Sequence, residues 1–167
     1  IKVNERQTGG EGEIVLRKVF EGDLPIFFEQ QQDKAANYLA AFIYRDPYDR
    51  QAFNNHWHKI FVNPTVVNRT ILYNGQVAGY LGKFEIEGQP EITYWLGKNY
   101  WGKGIATGAL TEFMKELEER PIYARAAKDN FGSIRVLQKC GFQITGYDRG
   151  FANARGQEIE EAILQLG

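Results

Sequence analysis

Residues Tyr100-Trp101-Gly102-Lys103-Gly104-Ile105-Ala106-Thr107 form a glycine-rich segment that runs straight into an amphipathic pattern. Gly102 and Gly104 omit side chains where backbone must approach a ligand. A helix that starts after them offers unpaired N–H groups and a partial positive charge. That chemistry is anion capture, and the anion most often held this way is a phosphate. The spacing fits neither familiar nucleotide pattern. A P-loop requires G-x-x-x-x-G-K-[ST], and a dinucleotide fingerprint requires a third glycine where this chain has Thr107.

A strand and a helix must hold such a loop. Residues 91–96, Glu-Ile-Thr-Tyr-Trp-Leu, read as the strand, and Ile105, Ala109, Leu110, Phe113, Met114 and Leu117 form one apolar face of a helix over 103–119. A second strand at 121–127 completes a βαβ unit, so the two strands are expected to lie parallel. Upstream, residues 13–19 alternate as a first strand. Asp23 and Pro25 open a helix bearing Leu24, Phe27 and Phe28, and after Pro47, Asp49 opens a second with Phe53, Trp57, Ile60 and Phe61. Asn74-Gly75 joins strands 66–73 and 76–85 as a hairpin, and Gly88-Gln89-Pro90 reads as the turn into the central strand. Downstream, Asp129 or Asn130 opens a helix that Cys140 and Gly141 close. Strands 142–149 and 157–166 follow, with a turn at 153–156.

The class is α/β (α+β), with a mixed, mostly antiparallel sheet of about seven strands and flanking helices. Residues 13–167 read as a single domain, and residues 1–12, with Gly9, Gly10 and Gly12, as a flexible or appended lead-in.

The segment from Tyr94 to Thr107, followed by Asn130-Phe131-Gly132-Ser133 and then Lys139-Cys140-Gly141-Phe142, resembles the GNAT family of N-acetyltransferases. Within that family it is similar to the RimJ/RimL-like branch, which acetylates the N-termini of ribosomal proteins. The resemblance covers residues 13–166. It implies a GNAT fold whose two central strands splay apart at one end, with acetyl-CoA (coenzyme A) lying in the gap. The family pattern Gln/Arg-x-x-Gly-x-Gly/Ala falls on Trp101-Gly102-Lys103-Gly104-Ile105-Ala106, with Trp101 standing where Gln or Arg is usual. The N–H groups from Gly102 through Thr107 are thereby expected to hold the pyrophosphate. Trp95 and Leu96 are expected to pair with the pantetheine arm through their backbone, and Lys103 to face phosphate or solvent. Asn130 is expected to bond the pantetheine arm, although as a helix N-cap it needs no ligand to explain it.

Amine acetylation requires a neutral amine, a donor for the oxyanion and a partner for the departing sulfur. The resemblance places the oxyanion donor at a backbone N–H near Leu96. Many family members have a tyrosine four residues before the Gly-Phe pair, and here that residue is Leu137, so the usual phenolic acid is absent. Ser133 is then expected to contact the sulfur. Glu91, at the start of the central strand, ranks first as general base, ahead of Glu85 and Glu87. The acceptor side is expected to include His56 and the patch Tyr44, Asp46, Tyr48 and Asp49, whose aromatic and acidic character suits a cationic amine. Cys140 reads as a packing residue. His56 and His58 point about 200° apart on a helix and cannot share a metal, so no metal site is expected.

Whole-chain properties fit a catalytic domain. At 167 residues with 43% hydrophobic content the chain can bury a sizeable core, and a net charge of -1 gives no electrostatic case for nucleic acid. One cysteine excludes an intrachain disulfide, and no apolar run approaches 18 residues, so a cytoplasmic protein with no membrane partner is expected, as monomer or homodimer. Two readings of function remain open. One is an acetyl-CoA-dependent N-acetyltransferase acting on a protein N-terminus or a small amine. The other is a noncatalytic acyl-CoA-binding or partner-binding module on the same fold.

Overall fold

The computed structural model describes residues 2–3 and 12–167. Its strands are β1 (Lys2–Val3), β2 (Ile14–Arg17), β3 (Val67–Tyr73), β4 (Gln76–Ile86), β5 (Gln89–Leu96), β6 (Ile122–Ala127), β7 (Gln143–Ala152) and β8 (Gln157–Leu166). The helices are α1 (Leu24–Gln30), α2 (Lys34–Ala40), α3 (Arg50–Val62), α4 (Ile105–Glu116) and α5 (Phe131–Lys139). They flank a single sheet of order β1-β2-β3-β4-β5-β6-β8-β7, antiparallel except where β5 meets β6. Strands β2 to β8 are the expected seven. The short β1 pairs with Ile14 and Val15 at the edge, and the remaining lead-in residues, 1 and 4–11, lie outside the described residues.

Patterning explains most of these elements. Ile14 and Leu16 of β2 point inward and join the apolar face of α4 in the main core, where Ile105, Ala109, Leu110 and Phe113 are fully buried. On the other sheet face, Phe27 of α1 and Phe53, Trp57 and Ile60 of α3 form a second core against Tyr80 and Phe84. Asn74 and Gly75 both take positive φ, at 50° and 79°, as a two-residue hairpin turn demands.

Three sequence expectations need correction. The turn into β5 is Glu87-Gly88, with φ of 52° and 79°, and Gln89 and Pro90 already belong to the strand. Pro90 is tolerated because the β5–β6 ladder starts only at Glu91, so its missing N–H costs no pairing there. Helix α4 is shorter than 103–119, since Gly104 takes the N-cap and Leu117 is extended. Asp23 does not cap α1 with its side chain. It is buried and accepts from Arg17 Nη1 (2.7 Å) and Nη2 (2.9 Å), Phe20 N (2.9 Å) and Thr70 Oγ1 (2.7 Å).

Burial alone would raise the Asp23 pKa, but those hydrogen bonds and the Arg17 charge outweigh it and hold the carboxyl below its ordinary value. The stability it contributes is therefore present above the unfolded carboxylate range and is lost as pH falls through the lowered folded value. Asp23→Ala is expected to cost about 2 kcal/mol in a urea melt at pH 7. That is less than a fully buried pair would lose, because Arg17 can rehydrate. The deficit should shrink in acid.

The sheet feature that positions the site is the junction of β5 and β6. They pair only at Glu91–Tyr123 and Ile92–Ala124, although β5 continues to Leu96 and β6 to Ala127. Each strand keeps its other neighbour over its full length, β5 through the Gly79–Leu96 pair and β6 through Ala127–Glu161. Beyond Ile92 the sheet is open between them. Among the described residues no helix is long and apolar enough to cross a membrane.

Candidate functional site

Two clefts approach the opening from opposite faces. The first, about 600 Å³, runs between the glycine loop, the end of β5, the start of α5 and helix α2. The second, about 680 Å³, lies between α3, the segment around Tyr44, and β5, with Arg125 and Glu161 at its wall. They share Ala40, Tyr94, Trp95, Asn130 and Ser133, so each opens onto the same point in the splay.

Gly102 and Gly104 have φ of 74° and 76°, the left-handed region that disfavours any other residue. A Cβ at either would meet no described atom within 4 Å, so the constraint is conformational and the space beside the loop is open. Gly104 is the N-cap of α4 and has no side chain with which to cap it. The first-turn N–H groups of Ile105, Ala106 and Thr107 therefore face the cleft with no acidic residue in their own turn. Lys103 does not line this cleft. Its Nζ lies 5.9 Å from the centre of the Tyr73 ring, and the side chain is exposed.

The backbone of β5 follows from its register. Gly97 N–H donates to Ala78 O of β4 at 2.8 Å, so alternation turns the Trp95 backbone groups toward β4 and those of Tyr94 and Leu96 toward the open side. A Cβ at Gly79 would collide with the Trp95 carbonyl oxygen, in keeping with that orientation. The backbone pair available to an extended ligand is thus Tyr94 and Leu96 rather than Trp95 and Leu96. The Leu96 carbonyl already accepts from Trp101 Nε1 at 2.9 Å, which leaves the Leu96 N–H as the free end of this strand edge. Trp101 therefore acts through its indole, a task the family pattern alone did not suggest. The Trp95 indole turns to the other face and donates to Gln30 O at 3.3 Å.

At the junction of the clefts, the Tyr94 hydroxyl donates to Ser133 Oγ at 3.2 Å, and Ser133 N–H donates to Asn130 Oδ1 at 3.3 Å as an N-cap bond. The Asn130 amide N–H groups remain to face a ligand. Burial pushes the Tyr94 phenol above its ordinary value, and the serine bond offsets part of that. Leu137, at the position of the usual tyrosine, is buried in the main core. Cys140 is half-buried beside Thr111, and burial raises its thiol pKa, as suits a packing residue.

On the second cleft, Glu91 shares a β5 face with Thr93 and Trp95. Burial raises its pKa, Arg125 opposes the shift and Glu161 adds to it. Arg125 Nε lies 3.5 Å from Glu91, while Arg125 Nη1 is held by Glu161 at 2.8 Å and Asp148 at 3.1 Å. Four residues of strand, about 13 Å, separate Glu91 from Trp95. A proton passing between the end of the strand and Glu91 must therefore travel through water. His56 lies edge-on to Tyr44, ring centres 5.4 Å apart, and both line the cleft. Desolvation, with the Lys59 charge, lowers the His56 pKa although the residue keeps surface exposure, which favours the neutral imidazole. Burial pushes the Tyr44 phenol up to about 12. Asp46 lies outside the cleft and accepts from Tyr48 N–H at 2.9 Å as a turn residue.

Sequence reasoning missed α2, whose Ala36, Leu39 and Ala40 wall the first cleft, and it missed Tyr94, Arg125 and Glu161. The signal for Tyr94 was present, since it is two residues from Leu96 and shares its face. The signal for α2 was only Asp33, which caps it by accepting from Ala36 N–H.

Comparison with known proteins matches residues 13–143 to the model of the acetyltransferase (GNAT) domain. The uncharacterized N-acetyltransferase p20 of Bacillus licheniformis is 34% identical over 83 residues, covering 47% of this chain and 47% of that protein. The putative ribosomal N-acetyltransferase YdaF of Bacillus subtilis is 26% identical over 117 residues, covering 66% and 64%. The matches thus span less than two thirds of either relative. RimJ of Mycobacterium smegmatis, solved in complex with CoA-disulfide, superposes with a TM-score of 0.80 at 18% identity over 93% of this chain and 82% of that one, a likeness of fold. With the family model covering most of the chain and the splayed sheet beneath it, the protein belongs to the GNAT acetyltransferase domain family.

Proposed function

We propose that this chain is an acetyl-CoA-dependent N-acetyltransferase that moves the acetyl group to a primary amine by direct attack in a ternary complex. The observation that carries the proposal is the meeting of two clefts at Tyr94, Trp95, Asn130 and Ser133. One is suited to a phosphorylated donor, and the other is open to an acceptor. Bound acetyl-CoA supplies the thioester carbonyl that a neutral amine attacks. The N–H groups from Gly102 to Thr107 suit a diffuse pyrophosphate dianion better than a single lysine would, which also fits the outward position of Lys103. Tyr94 and Leu96 offer their strand edge to the pantetheine arm, and the Leu96 N–H serves as oxyanion donor. Ser133 faces the sulfur, and Glu91 takes the amine proton through water. A protein N-terminus or a small amine is the acceptor, approached along the side lined by Tyr44 and His56. The name of YdaF, a putative ribosomal N-acetyltransferase, favours a protein acceptor.

The test is thiol release from acetyl-CoA with a panel of N-terminal peptides and small amines. Saturable release with an acetylated product is expected. Tight binding of acetyl-CoA without transfer to any amine would favour the noncatalytic module instead. Because Trp101 fixes the Leu96 carbonyl, Trp101→Phe is expected to weaken acetyl-CoA binding about fivefold by calorimetry, the worth of one hydrogen bond near 1 kcal/mol.

A further inference from the structure

We propose that Tyr94 is a positioning residue whose hydroxyl, by donating to Ser133 Oγ, aims the serine O–H at the sulfur that leaves from the donor thioester. The inference rests on the acetyl-transfer reading and adds a residue to it. Tyr94 packs against the main core from β5, and Ser133 stands in the first turn of α5, thirty-nine residues on, with the opening of the sheet between the two elements. The phenol is the more acidic of the two hydroxyls and takes the donor role, as its geometry indicates. That occupies one lone pair of Ser133 Oγ and leaves the serine with one proton to give. Asn130 fixes the other end of the serine by accepting its N–H. Both residues line both clefts, so the remaining O–H points into the space where donor and acceptor meet.

In the step, the N–C bond forms as the carbonyl π pair moves onto the oxygen held by the Leu96 N–H, and collapse of that oxyanion breaks the C–S bond and sends its bonding pair to sulfur. The proton shed by nitrogen goes to water, the thiolate accepts a hydrogen bond from Ser133, and neither hydroxyl ionises. The Tyr94 bond polarises the serine and strengthens that contact. Leu137, one turn further along α5, is buried in the main core and offers no hydroxyl, so Ser133, held by Tyr94 from β5, provides the hydroxyl at the sulfur.

Two measurements test this. In a double-mutant cycle on kcat, Tyr94→Phe is expected to lose about tenfold, with the KM for acetyl-CoA within about twofold. Ser133→Ala should lose somewhat more, and the double variant should match Ser133→Ala. Losses that multiply, or a Tyr94→Phe enzyme with wild-type kcat, would overturn the proposal. The second readout needs no turnover. The ratio of CoA to acetyl-CoA affinity, measured by calorimetry from pH 7 upward, isolates the free thiol, whose ordinary pKa is about 8.5. In the wild type this ratio should rise about fivefold through the thiol range, and in either single variant it should stay within about twofold. A rise in Tyr94→Phe equal to the wild type's would overturn the proposal. A wild-type chain that transfers acetyl to no amine would instead overturn the acetyl-transfer reading and this inference with it.

Discussion

Gly104→Glu is expected to bind acetyl-CoA roughly a thousandfold more weakly than the wild-type chain while remaining folded, a loss of about 4 kcal/mol. Two effects add. Gly104 has φ 76°, and any L-residue there carries about 1 to 2 kcal/mol of left-handed strain. The new carboxylate also stands at the N-terminus of α4, where it is attracted to the N–H groups that the pyrophosphate would use and repels the phosphates themselves. Since a Cβ at this position meets no described atom within 4 Å, the substitution should leave the core intact, and a loop that relaxes out of the left-handed geometry when free carries the strain into binding rather than into stability. Gly104→Ala separates the two effects. It carries the strain without the charge and should weaken binding by about tenfold or less. Calorimetry with both variants, beside thermal melts, reads the result. Wild-type affinity in Gly104→Glu would remove the phosphate cradle from the account.

The second large effect concerns Glu91. Glu91→Gln is expected to lower kcat about 100-fold, at the lower end for a general base because the proton travels through water, while leaving acetyl-CoA affinity within about twofold. A base must be ionised, so wild-type kcat should fall as pH drops through the Glu91 pKa. Burial places that limb above the ordinary carboxylate range. The limb should be missing from Glu91→Gln, and an unchanged profile would exclude Glu91 as the base. Stability should move in the opposite sense. A carboxyl with a raised folded pKa favours the folded state fully only below the unfolded value, and that contribution is lost as pH rises through the raised one. Glu91→Gln should therefore be at least as stable as wild type at pH 7, with the gap closing in acid. Arg125 keeps Glu161 and Asp148 as partners in the variant, so no buried charge is stranded.

What could be read from the sequence, and what could not, divides by the range of the forces involved. The glycine loop, the Asn74-Gly75 hairpin and α4 are specified locally, by backbone conformation or by a strong helical period, and all three are present, α4 within narrower bounds than 103–119. Helix α2 is seven residues long, too short for Ala36, Leu39 and Ala40 to establish a helical period in the sequence. Arg155 holds it from the far end of the chain, donating to Tyr38 O at 2.7 Å, stacking 4.0 Å over the Tyr38 ring, and pairing with Asp129 beside the first cleft at 2.8 and 2.9 Å. No local pattern encodes such a clamp. The same limit applies to Asp23, whose partner Thr70 lies 47 residues away, and to Lys103, whose position in the loop gave no sign that it would turn toward Tyr73. In the site, the left-handed backbone of Gly102 and Gly104 was accessible because a glycine-rich loop implies it, whereas the Leu96 N–H was named only through the family resemblance. The Tyr94–Ser133 pair and the Arg125 cluster depend on strands and helices that meet only in the folded sheet.

The most direct test of the central claim is a crystal structure of this chain with coenzyme A. The pyrophosphate oxygens are expected about 3 Å from the backbone N–H groups between Gly102 and Thr107, the pantetheine arm along Tyr94 and Leu96, and the sulfur within reach of Ser133 Oγ at the mouth of the second cleft. A pyrophosphate bound away from the glycine loop, or a thiol directed away from Ser133, would contradict it.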